Sequence, residues 1–391
     1  MKKKYIIFSI VTLVLLVALI TSFNYFKTTN TYIDDSVNNQ TKITKGISMN
    51  LEQTAGAGDY KTVTQSNWPT KGYKFNSELS RCENGSELSW DNAKKAVIVS
   101  GNLSDKCYVY FDIWIPSIVD YCTSGTDLAT CVKNFGNQGP DISNIYIHNL
   151  SLDNGAGDNS YRYAGASDSV NNYICLGSEE TACPDANLFR IIGVFGEKTK
   201  VIRAKSVGDK EWNTSDDNTW SSSSLNTYLN GTYLTSLGTL AEKIATTTWK
   251  VGGCSWSNIK TSVPKIVYKN EVGSSASTTT VDKKIGLMYI SDYYYSASPS
   301  AWTLVGYNKS DATKDYSAAK TINWLYLGSK EWTISRVSDE TFSAFIVDGS
   351  GHVFSYNVNF SNFAVRPSFN LDSTVTYVSG DGTKSNPIRI N

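Results

Sequence analysis

Four polar residues near the end of the chain, Ser355, Asn357, Asn359 and Asn362, are of types that serve recognition rather than bond-breaking. Their amides and hydroxyl donate and accept hydrogen bonds, and Tyr356 and Trp332 add apolar rings on which a ligand could stack. Directional hydrogen bonds beside a flat apolar surface suit a sugar or a polar protein surface. The same residues are also what the solvated face of an edge strand contains, with Trp332 and Arg366 as core and scaffold. Their grouping in space decides between the two.

Catalysis has less to work with. Neither GxSxG nor HExxH occurs. The carboxylates are scattered, although an acid/base pair can assemble from distant positions, and Glu331 and Asp348 are the acids to test for hydrolysis. There are only two histidines, His148 and His352, which leaves a histidine-rich zinc site or a histidine cluster almost without material. Asp153, Asn154, Asp158 and Asn159 gather the oxygen ligands that calcium prefers, but their spacing is not that of an EF-hand loop. An ordinary solvated turn is the simpler reading, and no cofactor is expected. Lys384-Ser385 after Gly380-Asp381-Gly382-Thr383 lacks the glycine spacing and following helix of a phosphate loop. Lys+Arg and Asp+Glu balance at 36 each, which argues against a nucleic-acid partner.

The seven cysteines form no zinc-type CxxC pattern. In an oxidising compartment, pairing between neighbours is the natural expectation: Cys82 with Cys107, Cys122 with Cys131, and Cys175 with Cys183. Cys254 is left over, with no histidine close in sequence to activate it, and reads as a buried thiol.

The elements that must position these residues fall into an α+β, β-rich arrangement. An uncharged apolar run over residues 6–23 follows three lysines. As a helix it would be ~27 Å long, close to the thickness of a bilayer. It is therefore expected to be an N-terminal transmembrane helix, a signal anchor over residues 1–23 with the chain beyond it outside the cell. A cleaved signal peptide is the alternative, leaving a secreted protein. Residues 24–44 read as a stalk, residues 45–112 as a small all-β module of short alternating segments, and residues 113–170 as a connector with a helical turn near 127–134. In residues 171–391 the segments 187–196 and 200–206 read as an antiparallel pair turning at Gly196, residues 221–237 as a helix, and residues 285–290 as a buried strand. Residues 354–360 alternate, with Phe354, Tyr356, Val358 and Phe360 on one face and the polar residues on the other.

The order Asn187-Leu-Phe-Arg-Ile-Ile-Gly-Val, Trp220…Leu225-Asn226…Leu229-Asn230 and Glu331-Trp-Thr-Ile-Ser-Arg336 resembles an uncharacterised exported domain of surface proteins of gut Firmicutes. The closing Phe363-Ala-Val-Arg-Pro-Ser-Phe and Gly382-Thr-Lys-Ser-Asn-Pro-Ile-Arg389 belong to the same likeness. Its W-x-x-S, W-x-x-x-R and V-R-P signatures are similar to those of the C-type-lectin-like and formylglycine-generating-enzyme fold group. The resemblance implies a C-type-lectin-like mixed domain over 171–391. The calcium-lectin motifs of that group, and the late cysteine pair of its enzymes, do not occur here. The expected function is that of a cell-surface, adhesin-like protein, non-catalytic, with a glycan or surface protein as partner and the membrane held through residues 6–23. A surface-coat or pilus-like subunit, or an extracellular hydrolase, is the competing expectation.

Overall fold

Short alternating segments between glycine and asparagine turns give the first unit an all-β build. Its strands are β1 (Ile47–Glu52), β2 (Tyr60–Val63), β3 (Tyr73–Phe75), β4 (Arg81–Cys82), β5 (Glu87–Asp91), β6 (Ala96–Ser100) and β7 (Cys107–Ile113). The computed structural model describes residues 46–63, 72–91, 94, 96–102 and 105–391, and the chain divides into two units between Pro116 and Ser117. In the first unit the order is β2-β1-β7-β3, with β1 and β7 parallel and β4 also paired to β7. The β1–β7 register sets Met49 beside Val109 and Leu51 beside Phe111, and these four side chains form the core with Val97. Cys82 lies opposite Cys107 in the β4–β7 pair and is bonded to it.

The second unit opens with a helix, Leu128–Gly136, whose first turn is capped by the Asp127 carboxylate accepting from the Thr130 amide at 2.8 Å. Strands β8 (Ile145–Ile147), β9 (Tyr161–Tyr163) and β10 (Tyr173–Cys175) follow. Residues 113–170, read from the sequence as a connector, start at the last residue of β7 and contribute this helix, short helical turns at Ile118–Asp120 and Pro140–Ser143, and the strands β8 and β9. The long pair β11 (Leu188–Phe195) and β12 (Lys198–Arg203) turns at Gly196, whose φ of 62° suits a residue without a side chain. Next come β13 (Asp209–Lys210), the ribbon of β14 (Thr247–Lys250) and β15 (Thr280–Lys283), and β16 (Ile285–Gly286). The last fifth supplies β17 (Glu331–Arg336), β18 (Ser343–Val347), β19 (Val353–Asn357), β20 (Phe363–Ala364) and β21 (Ser368–Asn370).

Two sheets organise this unit. One runs β16-β21-β12-β11-β9-β8, with β10 also on β11; the other runs β13-β20-β17-β18-β19 and leaves β19 at its edge. β11 is buried on both faces over most of its length, which is why it reads as a continuous apolar run. Gly193 permits the close approach of β9, since a Cβ there would collide with the Tyr161 carbonyl. Cys122–Cys131 and Cys175–Cys183 are bonded, and Cys254 is a buried free thiol. Burial pushes its thiol pKa well up, so it is no ready nucleophile.

The protein is thus mixed α+β and strand-rich, but one part of the sequence expectation is corrected. No helix among the described residues is long and apolar enough to cross a membrane. The transmembrane helix and the single-pass cell-membrane placement are therefore not supported; residues 1–45, on which the anchor and stalk were read, lie outside the described residues.

Two other elements differ from their sequence reading for physical reasons. Residues 221–237 do not form one helix. A short turn at Trp220–Ser222 gives way to a helix at Ser224–Tyr228, capped by the Ser223 hydroxyl, then to a wider π-turn at Leu229–Tyr233 and a last turn at Leu234–Ser236. Within the π-turn, Asn230 exchanges two hydrogen bonds with the backbone of Ile285. That tie holds the extra residue of the turn against β16. Residues 285–290 are strand only at Ile285–Gly286, and a helix starts at Ile290 because its amides are already claimed. The buried Glu271 carboxylate accepts from the amides of Ile290 and Ser291 at 2.9 Å each, and Asp292 accepts from the Tyr289 amide at 2.8 Å.

A buried charge network joins this helix to the first sheet. Lys200 on β12 donates to Asp292 at 2.5 Å, and Arg162 on β9 lies 4.0 Å from the same carboxylate and 2.7 Å from Asp158. Burial acts to raise the Asp158 pKa, but Arg162, with hydrogen bonds from Ser160 and Tyr268, holds the carboxyl well below the usual carboxylate range. A carboxyl depressed in the fold stabilises above its unfolded pKa of ~3.9 and loses that contribution as pH falls toward the folded value. Asp158→Asn is therefore expected to cost about 2 kcal/mol at pH 7. In denaturant titrations down the pH scale, the gap to the parent should close below ~pH 4. A gap that stays constant with pH would contradict this assignment.

Candidate ligand-binding site

Strand β19 carries most of the residues singled out at the C-terminal end. It pairs antiparallel with β18, Ala344 opposite Tyr356 and Ile346 opposite Phe354. Phe354 and Tyr356 therefore share a face, while Val353, Ser355 and Asn357 take the other. The strand stops at Asn357, earlier than the alternation of residues 354–360 suggests. The Val358 amide donates to the Phe342 carbonyl and the Phe360 amide closes a turn onto the Asn357 carbonyl. That turn brings Phe360 back beside Tyr356, centroids 5.5 Å apart, and nearly parallel to Phe363 at 6.1 Å.

An aromatic row results. Phe354 lies 5.7 Å from Tyr356, and Trp256 and Tyr307 each lie 5.1 Å from Phe354. Phe360 keeps 44% of its surface exposed and Phe342 keeps 40%. Over this row sits the Lys330 ammonium, 4.6 Å from the Tyr356 centroid and 5.2 Å from that of Phe363, within cation–π range.

The polar residues border the same stretch. Ser355 and Asn357 are half-buried on β19, and Asn359 and Asn362 are exposed in the turn beyond it. Among the described residues, none of these four side chains makes a hydrogen bond, so their donors and acceptors are open to a ligand. Trp332 is placed differently. It is fully buried on β17, packs against Phe363 at 4.8 Å and donates to the Lys210 carbonyl at 2.9 Å, so its ring serves the core.

The edge has one further property. Hydrogen-bonded pairs in an antiparallel ladder alternate with non-bonded ones. The bonds from Asp348 to His352 and from Val358 to Phe342 set that alternation, so the backbone groups of Val353, Ser355 and Asn357 point away from β18. The Val353 amide is taken by the Gly306 carbonyl and the Asn357 carbonyl by Phe360. No backbone partner is found for Ser355 among the described residues.

The acids named for hydrolysis are otherwise engaged. Glu331 is buried, and both its oxygens bind Arg366, at 2.6 and 2.7 Å. Burial raises its carboxyl pKa, against the pull of the guanidinium. Asp348 lies 3.1 Å from one ring nitrogen of His352, whose other nitrogen lies 3.4 Å from the buried Asp315. Among the described residues no group of three or more His, Cys, Asp or Glu side chains is placed to hold a metal ion. In the segment considered for calcium, the Asp158 oxygens are held by Ser160, Arg162 and Tyr268.

Trp256, Tyr307 and Lys330 were not foreseen as parts of this surface. They come from three separate segments with no shared period, and only the fold assembles them. Phe360 carried a signal, since it continues the apolar face of Phe354 and Tyr356.

Residues 196–373 match the model of a family described as Domain of unknown function (DUF6273). No curated protein matches the chain. No solved structure matches it.

Proposed function

We propose that the C-terminal unit is a recognition module of an extracellular protein, and that a glycan or protein ligand lies along the β19 edge. The observation that carries this reading is the conjunction of four unpaired polar side chains, Ser355, Asn357, Asn359 and Asn362, with the half-exposed rings of Tyr356 and Phe360. Amides fix a ligand's orientation, and rings shield its apolar patches from water. The three disulfides fit an oxidising, extracellular setting. The likeness of the Trp332…Arg336 and Val365-Arg366-Pro367 signatures to the C-type-lectin-like and formylglycine-generating-enzyme group points the same way.

A glycan and mucin array probed with the purified chain, with and without calcium, tests the glycan form of the proposal. Selective binding is expected, and Asn357→Ala/Asn359→Ala is expected to weaken it about tenfold or more through two lost hydrogen bonds. A chain that binds no glycan under either condition removes that form.

The second reading is a structural one, favoured by the open backbone at Ser355. An edge strand with unpaired groups can accept another strand by β-addition, including one from a second copy. Sedimentation across a concentration series separates the two, since only the structural reading requires assembly. An extracellular hydrolase has less behind it, because a Glu331 held by Arg366 is poorly placed to exchange protons with a substrate.

A further inference from the structure

The segment 149–159, which joins β8 to β9, is tied down on a buried histidine. His148 is fully enclosed, and its Nδ1 accepts from the Ala156 amide at 3.0 Å. A neutral imidazole that accepts at Nδ1 carries its one proton on Nε2. That nitrogen has no hydrogen-bond partner among the described residues, and the ring packs against Tyr295 and Trp302, centroids 4.6 and 5.1 Å away. Buried polar nitrogens are almost always paired, so this one calls for an explanation.

The backbone adds an independent sign. Asn154 and Asn159, with φ of 58° and 59°, are two of the three non-glycine residues with positive φ among the described residues. Such strain persists only where the surroundings enforce it, and it collects at switch segments. Leu150 is 92% exposed and helps little. Leu152 and Ala156 pack against the cluster of Tyr295 and Trp302, and the Tyr295 hydroxyl donates to the Asn154 carbonyl at 3.2 Å. The bond from Ala156 is the tie that depends on a ring able to titrate near neutral pH.

The charges around that ring oppose a second proton. Burial holds the imidazole pKa well below its ordinary value, Arg162 on β9 adds to the depression, and Asp158 works against it. The Asp158 carboxylate is already engaged, by Arg162 at 2.7 Å and by the hydroxyls of Ser160 and Tyr268. Tyr295 and Trp302, the other side chains against the ring, bring no charge. A proton on Nδ1 would set two donors against each other at Ala156 and place a new cation beside Arg162.

We infer that residues 149–159 form an acid-released strap: protonation of His148 breaks its tie to Ala156, and the strap lifts from Tyr295 and Trp302 and uncovers both rings. With the strap open the imidazole meets water and titrates near ~6.5. Below that value the open form binds more protons than the closed one. Closure is therefore complete above it and weakens as pH falls, by up to about tenfold per pH unit. Asp158 gives up its own contribution only below ~3.9, so the two windows separate. The strap is independent of the edge-strand reading and stands or falls separately from it.

The test is hydrogen–deuterium exchange on the full chain, corrected for the intrinsic pH dependence of exchange. From about pH 6.5 to about pH 4.5, protection over residues 149–159 should fall by about ten- to a hundredfold, while that over β11 holds. His148→Gln offers Ala156 an acceptor that does not titrate, and its strap should keep constant protection across the same range. His352→Gln, which changes the other histidine, should follow the parent. It also leaves a single imidazole, whose C2-proton resonance should move in step with the loss of strap protection, so the inference can be judged even if His148→Gln fails to fold. Protection that does not change with pH would overturn it, as would a loss shared equally by β11. A loss that persists in His148→Gln, or an imidazole resonance that moves independently of the strap, would overturn it too.

Discussion

Asp292→Ala is expected to destabilise the C-terminal unit by about 5 kcal/mol or more, seen as a melting temperature about 10 °C or more lower. The carboxylate is buried and serves three partners: Lys200 at 2.5 Å, Arg162 at 4.0 Å and the amide of Tyr289 at 2.8 Å. Removing it strips the nearest countercharge from Lys200 and loosens the start of the helix Ile290–Tyr295. Losing one partner of a buried pair costs about 3–5 kcal/mol, because the remaining charge is left without compensation in a poorly polarisable medium. The cap adds about 1 kcal/mol.

The pH dependence identifies the stranded charge. Burial lowers the Lys200 pKa even in the parent, and Asp292 pulls it back up. Without Asp292 the folded pKa falls further below the unfolded value of ~10.4. Between those two values the unfolded chain binds more protons, so stability rises with pH. Denaturant melts at pH 7 and pH 9.5 should show the variant recovering more than the parent does. A deficit of the same size at both would mean that the loss comes from the cap and packing, not from Lys200.

Glu331→Ala is the second large effect, at about 3–5 kcal/mol. Arg366 is buried, and its guanidinium donates to both Glu331 oxygens and to the Leu325 carbonyl at 2.6 Å. The alanine variant leaves that cation without its carboxylate in the interior. The pair is less valuable as a whole than either half is necessary, since desolvation offsets much of the attraction. Glu331→Met/Arg366→Met is accordingly expected to recover most of the loss. Calorimetric melts of both variants check this: a double variant no better than the single would show that the pair itself, and not the stranded charge, carries the stability. The prediction also guards against misreading an activity assay. A loss of turnover in Glu331→Ala would follow from unfolding alone.

Much of the framework was legible because its signals are local. The β11–β12 pair announces itself as two apolar runs around Gly196, whereas the helix Leu128–Gly136 shows in the sequence only as a helical turn near 127–134. Where several elements compete, local signals fail. Residues 285–290 are apolar enough for a strand, but Glu271, distant in sequence, caps a helix there. Residues 221–237 have helical spacing, yet the tie between Asn230 and Ile285 depends on a strand some fifty residues away. Tyr293, Tyr294 and Tyr295 are all buried, and only the fold supplies the carbonyl of Gly351 for the Tyr293 hydroxyl. The candidate surface was legible only in part for the same reason. Tyr356 and its amide neighbours are contiguous in sequence, whereas Lys330, Trp256 and Tyr307 arrive from elsewhere. Trp332 shows the converse, since a tryptophan's type says nothing of whether its ring faces water.

The three disulfides follow one another along the chain without overlap: Cys82–Cys107, Cys122–Cys131, Cys175–Cys183. No bridge straddles another. A chain that meets an oxidant from its N-terminal end onwards can therefore close each loop before the next pair of thiols is presented. Correct pairing then follows from order of emergence, with little call for the reshuffling that nested or crossed bridges demand. Cys254 arrives last, after every partner is taken, and is enclosed in the core where exchange cannot reach it. Burial keeps the odd thiol from exchanging with the others.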